Sequence, residues 1–271
     1  MASVRDAYTV FLRTSAGVHA YSAFKKLLYS ASDSLPDELI SQMELFLPHF
    51  THEPIYVCDI GTGDCRRILR ILAFMRQRLA GELAADLVEQ SEVLLSSCDL
   101  EALANLCEYR IYPQMIADVS FDRRYDVIFF IHSIFSLSGD EDIERIVKLL
   151  RMNGVIVVVS NASDSFLGRL KVLLDDDYTD ARFEIDDFLA SASGRQLGIT
   201  KRSFVTRWHV KEGDLDNCIA TITEWLSLGK IRDYSVAKKI RIYNFFREHS
   251  KALDGKLFFE EEEVVITLSY L

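Results

Sequence analysis

Between residues 55 and 161 the chain repeats one pattern: a short apolar run, a stretch with helical spacing, then another apolar run, with no hairpin signal between them. IYVCD (55–59) is followed by a helical stretch over 64–80, and GELAADLVEQ (81–90) by the helical SEVLLSSCDLEALANLCEY (91–109). RIYPQMIAD (110–118) reads as a third strand and YDVIFFIHSIFSL (125–137) as a fourth. DEDIERIVKLLR (140–151) is an amphipathic helix, after which Asn153-Gly154 turns into a fifth strand, VIVVVSN (155–161). Strands separated by helices run parallel, because a parallel neighbour needs a long crossover and an antiparallel one only a short turn. The near-continuous apolar character of 125–137 is what a strand covered on both faces requires. The pattern predicts an α/β fold with a doubly wound parallel sheet.

The flanks do not share the alternation. Residues 1–50 read as helices, with Tyr8, Phe11 and Leu12, then Tyr21, Phe24, Leu27 and Leu28, at helical spacing. SLPDE (34–38) has the proline and early acids of a helix start. After Asn161 the order is helix (SFLGRLKVLL), a mixed segment, a strand (199–210), two helices over 214–249 and a long last strand, KLFFEEEEVVITLSYL. The expected organisation is an N-terminal helical lid (1–50), an α/β core (51–175), a helical and strand insertion covering the substrate (176–250) and a final core strand (251–271).

Charge and cysteine content narrow the classes of function. A net charge of −10 argues against nucleic acid or an anionic membrane as partner, since binding phosphate needs a basic face. The N-terminus lacks a signal pattern and no run of 18 apolar residues is present, so a cytoplasmic chain is expected, as a monomer or homodimer. Five cysteines (Cys58, Cys65, Cys98, Cys107, Cys218) form no CxxC pair, which predicts reduced thiols and no metal site.

The stretch richest in chemistry is VCDIGTGDC, Val57 to Cys65. In doubly wound sheets, ligands sit outside the carboxyl ends of the strands, near the first strand–helix turn. Gly61 and Gly63 there let backbone approach a ligand and adopt φ values that a Cβ penalises. The third glycine of a dinucleotide fingerprint would fall at Arg66, so a pyrophosphate fits poorly. Asp59 and Asp64 beside the loop suit a cationic or neutral ligand. Glu89 closes the second strand, where a carboxylate can accept both hydroxyls of a ribose, and Asp118 closes the third, where an adenine amino group could be met.

The ordered series DIGTGDC, LVEQS, IAD, YDVIFFIHSIF and NGVIVVVSN resembles the class I S-adenosylmethionine-dependent methyltransferases. The resemblance implies a Rossmann-like, seven-stranded, mainly parallel sheet with helical lid insertions, its last strand antiparallel. It also implies S-adenosyl-L-methionine as cofactor and S-adenosyl-L-homocysteine as product. Asp59, Gly61, Thr62 and Gly63 would face the methionine part of the cofactor, Glu89 and Gln90 the ribose, and Asp118 and Val119 the adenine, with His132 nearby.

YTVFLRTSAGVHAYSAF, VEQS, FFIHSIFS and KLFFEEEE are further similar to the histamine N-methyltransferase type. That resemblance places the small-molecule pocket at Tyr8, Phe11, Val18, His19, Phe135, Ser136, Phe166 and Glu261. The chain departs from the type where a lid acid is expected: Val18 stands there, which argues against histamine itself. The implied reaction is in-line methyl transfer to an amine or imidazole nitrogen, with O-methylation or a non-catalytic binding role as alternatives. His132 is the candidate base for the acceptor's proton, or else a histidine simply packed beneath the lid. Ile131-His132-Ser133-Ile134 replaces the NPPY-type tetrapeptide of enzymes that methylate base amines. Glu261 lies in a run of four glutamates that can be a solvated strand edge or a partner for an ammonium group.

Overall fold

The computed structural model describes residues 10–12, 14–29, 35–50, 53–137, 139–174, 185–193, 195 and 197–270. Among them the contacts separate two units: Ser34–Ser160, Phe183–Ser203 and Val264–Leu271 form the larger, and Met1–Asp33, Asn161–Arg182 and Phe204–Glu263 the smaller.

The larger unit carries the predicted alternation. Its strands are β1 (Ile55–Ile60), β2 (Leu83–Val88), β3 (Glu108–Tyr112), β4 (Tyr125–Ile131) and β5 (Leu150–Asn161). Helices α2 (Leu35–Phe46), α3 (Arg66–Arg78), α4 (Glu92–Leu95), α5 (Leu100–Leu106) and α6 (Asp140–Lys148) precede or connect them, after α1 (Ser15–Tyr29) of the smaller unit. Pairing is parallel from β3 through β2, β1 and β4 to β5, with Val57 opposite Ala85 on one side and Val127 on the other. All seven residues of β4 and all six of β2 are buried, as strands covered on both faces must be. Asp86, inside β2, is kept among them by the Tyr125 hydroxyl at 2.6 Å and the Arg110 guanidinium at 3.1 Å, since a buried charge persists only when paired.

The strand order is β3-β2-β1-β4-β5-β8-β6, with β6 spanning Leu197–Lys211 and β8 Lys256–Tyr270. The short β7 (Lys251–Leu253) pairs antiparallel with the start of β8. The order reverses between β1 and β4. Right-handed crossovers therefore send helices to opposite faces on the two sides of that point, and the ends of β1 and β4 lie side by side there. The doubly wound parallel sheet expected from the sequence is the one observed.

Three local expectations are corrected. The third strand stops at Tyr112 because Pro113 has no N–H to donate, so Asp118 ends a 3₁₀ turn (Ile116–Asp118) and not a strand. The fourth stops at Ile131, where His132 takes φ +57° and the chain enters a second 3₁₀ turn, Ile134–Ser136. The fifth starts earlier than Val155. Opposite Tyr125 and Val127 the partner advances from Leu150 to Val155, and Asn153-Gly154 fall inside that irregularity.

The smaller unit contains α1, α7 (Phe166–Leu174), α9 (Leu215–Leu226) and α10 (Val236–Glu248), whereas α8 (Ile185–Ser193) belongs to the larger. Tyr21 and Phe24 of α1 pack on Trp225 of α9, with ring centroids 4.8 and 6.0 Å apart. Phe166 meets Phe245 and Phe246 of α10 at 5.1 Å, and Trp208 stacks on Phe259 at 4.2 Å.

Candidate functional site

The glycine turn is built by its neighbours on both sides of β1. The N–H groups of Gly61 and Thr62 donate to the Val88 carbonyl at 2.8 and 3.1 Å, which ties the turn to the end of β2. On the β4 side the Ser133 hydroxyl donates to the Ile60 carbonyl in a short hydrogen bond. Gly61 has φ +77°, and a Cβ there would come within 2.4 Å of Ser133 Cβ. Glycine is required at this position for both conformation and space. Gly63 also takes a left-handed φ, +61°.

Glu89 directly follows β2, is 7% exposed and is held by backbone. Gly63 N–H donates to its Oε2 at 3.0 Å and Ser91 N–H to its Oε1 at 2.9 Å. Its own N–H donates to the Tyr112 carbonyl at the end of β3. One carboxylate thus joins the turn after β1 to the segment after β2, and its two N–H donors meet the requirement that a buried acid be hydrogen-bonded. Ser91 in turn caps α4 through Leu94 N–H.

Three polar side-chain atoms around this turn are buried without a hydrogen-bond partner among the described residues: Thr62 Oγ1, Gln90 Oε1 and Ser136 Oγ. They come from the segments that follow β1, β2 and β4. Unsatisfied buried polar atoms are scarce in folded proteins, and each one calls for an explanation, of which a polar ligand is one. Asp59, at the end of β1, is 2% exposed. His132 is half-buried, and its left-handed backbone is unusual for a residue with a Cβ. Its N–H donates to the Val159 carbonyl at 2.9 Å, which anchors that turn to β5.

Asp118 is exposed and Val119 buried. Arg145 of α6 gathers their segment: its guanidinium donates to the carbonyls of Ile116, Ala117 and Val119, the last at 2.8 Å. Arg145, Ser91 and Ser133 shape these turns and were not singled out from the sequence. No spacing marks an arginine that acts through backbone carbonyls on another segment.

The expectation of reduced thiols is corrected at this turn. Cys65 and Cys98 form a disulfide, with Cα atoms 5.3 Å apart and the two residues 33 positions apart in sequence. Cys65 is the last residue of the glycine turn and Cys98 lies in the bend after α4, two segments that the fold alone brings together. Cys58, Cys107 and Cys218 are free. Among the described residues no group of three or more His, Cys, Asp or Glu converges as metal ligands, and no helix is long and apolar enough to cross a membrane.

The residues expected at the acceptor fall into both units. Phe135 and Ser136 follow β4 in the larger, whereas Phe11, Val18, His19, Phe166 and Glu261 belong to the smaller. Tyr8 lies outside the described residues. Phe11 and Val18 are half-buried, His19 is exposed and Phe166 is buried in its aromatic cluster. Glu261 is not at a solvated edge: it is 3% exposed, alternating inward with Phe259 and Glu263 along β8. Desolvation pushes its carboxyl up to about 7, against the opposing pull of the Ser165 hydroxyl and the Leu167 N–H, which donates to Oε2 at 2.9 Å. Its Oε1 is buried without a hydrogen-bond partner.

No protein-family model and no curated protein matches the chain. Solved structures do. The YcgJ protein from Bacillus subtilis superposes with a TM-score of 0.54 at 14% identity, over 85% of this chain and 99% of that one. A candidate methyltransferase from Bacillus halodurans C-125 gives 0.51 at 12% identity, over 84% and 98%. An S-adenosylmethionine-dependent methyltransferase from Geobacter sulfurreducens, in complex with S-adenosyl-L-homocysteine, gives 0.49 at 15% identity, over 92% and 98%. The first two share the fold of this chain, and at these identities the likeness is one of architecture.

Proposed function

We propose that the chain is an S-adenosylmethionine-dependent methyltransferase acting on a small molecule, with an amine or imidazole nitrogen as the acceptor. The observation that carries the reading is the set of unsatisfied polar atoms, Thr62 Oγ1, Gln90 Oε1 and Ser136 Oγ, on the turns after β1, β2 and β4. Those after β1 and β4 flank the strand-order reversal, where doubly wound sheets hold their ligands, and the one after β2 follows the neighbouring strand. The Bacillus halodurans protein with this fold is itself a candidate methyltransferase, which favours the same chemistry.

The residues present fit an adenosyl cofactor. Gly61 takes the left-handed backbone of the turn and lets Ser133 pack against it where a Cβ would clash. Glu89 is a buried carboxylate at the place where a ribose diol would dock, with Gln90 beside it, and the Ile116–Val119 segment held by Arg145 offers Asp118 and Val119 to the base. Asp59 would hold the methionine end. A dinucleotide is disfavoured because Arg66 replaces the third glycine and two acids, Asp59 and Glu89, border the turn.

When bound, S-adenosylmethionine supplies an electrophilic methyl group on a sulfonium. The protein then has to align an acceptor lone pair with that carbon and exclude water, so most of the rate comes from orientation. His132, held at the end of β4 by its bond to Val159, is the group we assign to the acceptor's proton. Within the smaller unit, Glu261 is a buried carboxylate with one unsatisfied oxygen, a group that suits a cation.

Calorimetric titration with S-adenosylmethionine, S-adenosylhomocysteine and NAD tests the reading. Micromolar binding of the first two without NAD is expected, and failure of both to bind would overturn it. His132→Ala is expected to lower turnover far more than cofactor affinity, and an unchanged rate would remove His132 from the mechanism.

A further inference from the structure

The smaller unit contains a cavity of about 340 Å³, a volume suited to a ligand of one ring or a short chain. Its apolar surface comes from Phe166 of α7, Leu253 of β7 and Phe258 of β8, and its charge from Arg169 of α7, Arg207 of β6 and Lys251 of β7. Glu260 is the one carboxylate in the lining, and it is engaged by those cations: Arg207 Nε donates to its Oε1 at 3.1 Å and Lys251 Nζ to its Oε2 at 3.4 Å. The Lys251 contact, followed by Arg207, holds the Glu260 carboxyl below the usual carboxylate range. The lining therefore sets three fixed cations against one fixed anion. His249 completes the wall with an oriented ring. It stacks on Phe245 at 4.1 Å, and its Nδ1 lies 2.7 Å from the Phe245 carbonyl, a pure acceptor, so Nδ1 carries the proton.

This positive excess stands out in a chain of net charge −10. Charges beyond about 10 Å are largely screened at 0.1 M salt, so the local set decides which sign of ligand the cavity favours. None of these residues belongs to the proposed cofactor turn. We infer that the cavity is a binding site for a small amphiphilic anion, a carboxylate or phosphate monoester carrying a ring or short apolar group. Its head group meets Arg169, Arg207 and Lys251, and its apolar part lies on Phe166, Phe258 and Leu253.

The test is calorimetric titration of the full chain with phenylacetate, phenyl phosphate and 2-phenylethylamine, repeated with Arg169→Glu and Lys251→Glu. Both substituted side chains are exposed, so both variants are expected to fold, and circular dichroism checks this. At least one anion is expected to bind saturably and the amine not to, with phenylacetate and phenyl phosphate separating the two head groups. Each charge reversal is expected to weaken anion binding about tenfold, twice the effect of losing one exposed pair on a logarithmic scale. Absence of saturable binding by both anions, equal binding of the amine, or unchanged affinity in both folded variants would each overturn the site.

Discussion

Glu89 and Glu261 are both buried carboxylates next to backbone N–H groups, and the chain treats them in opposite ways. Glu89 receives a donor on each oxygen, Ser91 N–H on one and Gly63 N–H on the other, and in doing so connects two turns. Glu261 receives Leu167 N–H on one oxygen, leaves the other buried and unsatisfied, and has its carboxyl raised to about 7. Satisfying both oxygens turns a buried acid into a structural joint at the mouth of the sheet. Leaving one unsatisfied makes burial costly and the proton easy to keep. The turn around Glu89 is further constrained by Ser133 against Gly61 and by the Cys65–Cys98 disulfide, whereas Glu261 shares the inward face of β8 with Phe259 and Glu263.

If that bracing is real, the largest effect should come from opening the disulfide. A cross-link closing 33 residues stabilises by roughly 4 kcal/mol in the chain-entropy picture. Cys98→Ser is therefore expected to lower the urea midpoint markedly, and a midpoint equal to the parent's would mean that the turn needs no cross-link. Gly61→Ala follows at about 3 kcal/mol, from a side chain forced into φ +77° against Ser133. Urea unfolding reads this directly, and an undiminished midpoint would show that the turn can shift.

Glu261→Gln probes the other side of the comparison, with a sign set by the proton. The folded carboxyl titrates near 7 and the unfolded one near 4.5. Ionisation therefore costs nothing below the unfolded value, an increasing amount between the two, and its full amount above 7. The ceiling is about 3 kcal/mol for a shift of that size. The parent should lose stability from pH 4.5 to 7, and the glutamine variant should lose less over the same range and be the more stable at pH 8 by about 2 kcal/mol. Parallel pH profiles would contradict the assignment.

The two regions also differ in how far they could be read in advance. The alternation over 55–161, the glycine turn and the acid after β2 were legible because strand, turn and helix each leave a local signature. Strand ends were less so: Pro113 stops β3 early, and His132 leaves β4 by a left-handed backbone that an apolar run such as FFIHSIF does not announce. What joins the turns was illegible, because Ser133, Arg145 and the Cys65–Cys98 pair act across long separations that only the strand order brings together. Glu261 sits in EEEE, where composition suggests solvent and the inward alternation of β8 decides otherwise.

The central claim is that Glu89 and the glycine turn form one ligand site. The most direct measurement is calorimetric titration of S-adenosylhomocysteine into the parent and into Glu89→Gln. The substitution keeps shape but turns one acceptor oxygen into a donor facing backbone N–H, an effect of about 1–3 kcal/mol. Micromolar affinity in the parent and a loss of roughly 5- to 150-fold in the variant, with folding intact, is the predicted result. Equal affinity in the two proteins would contradict it.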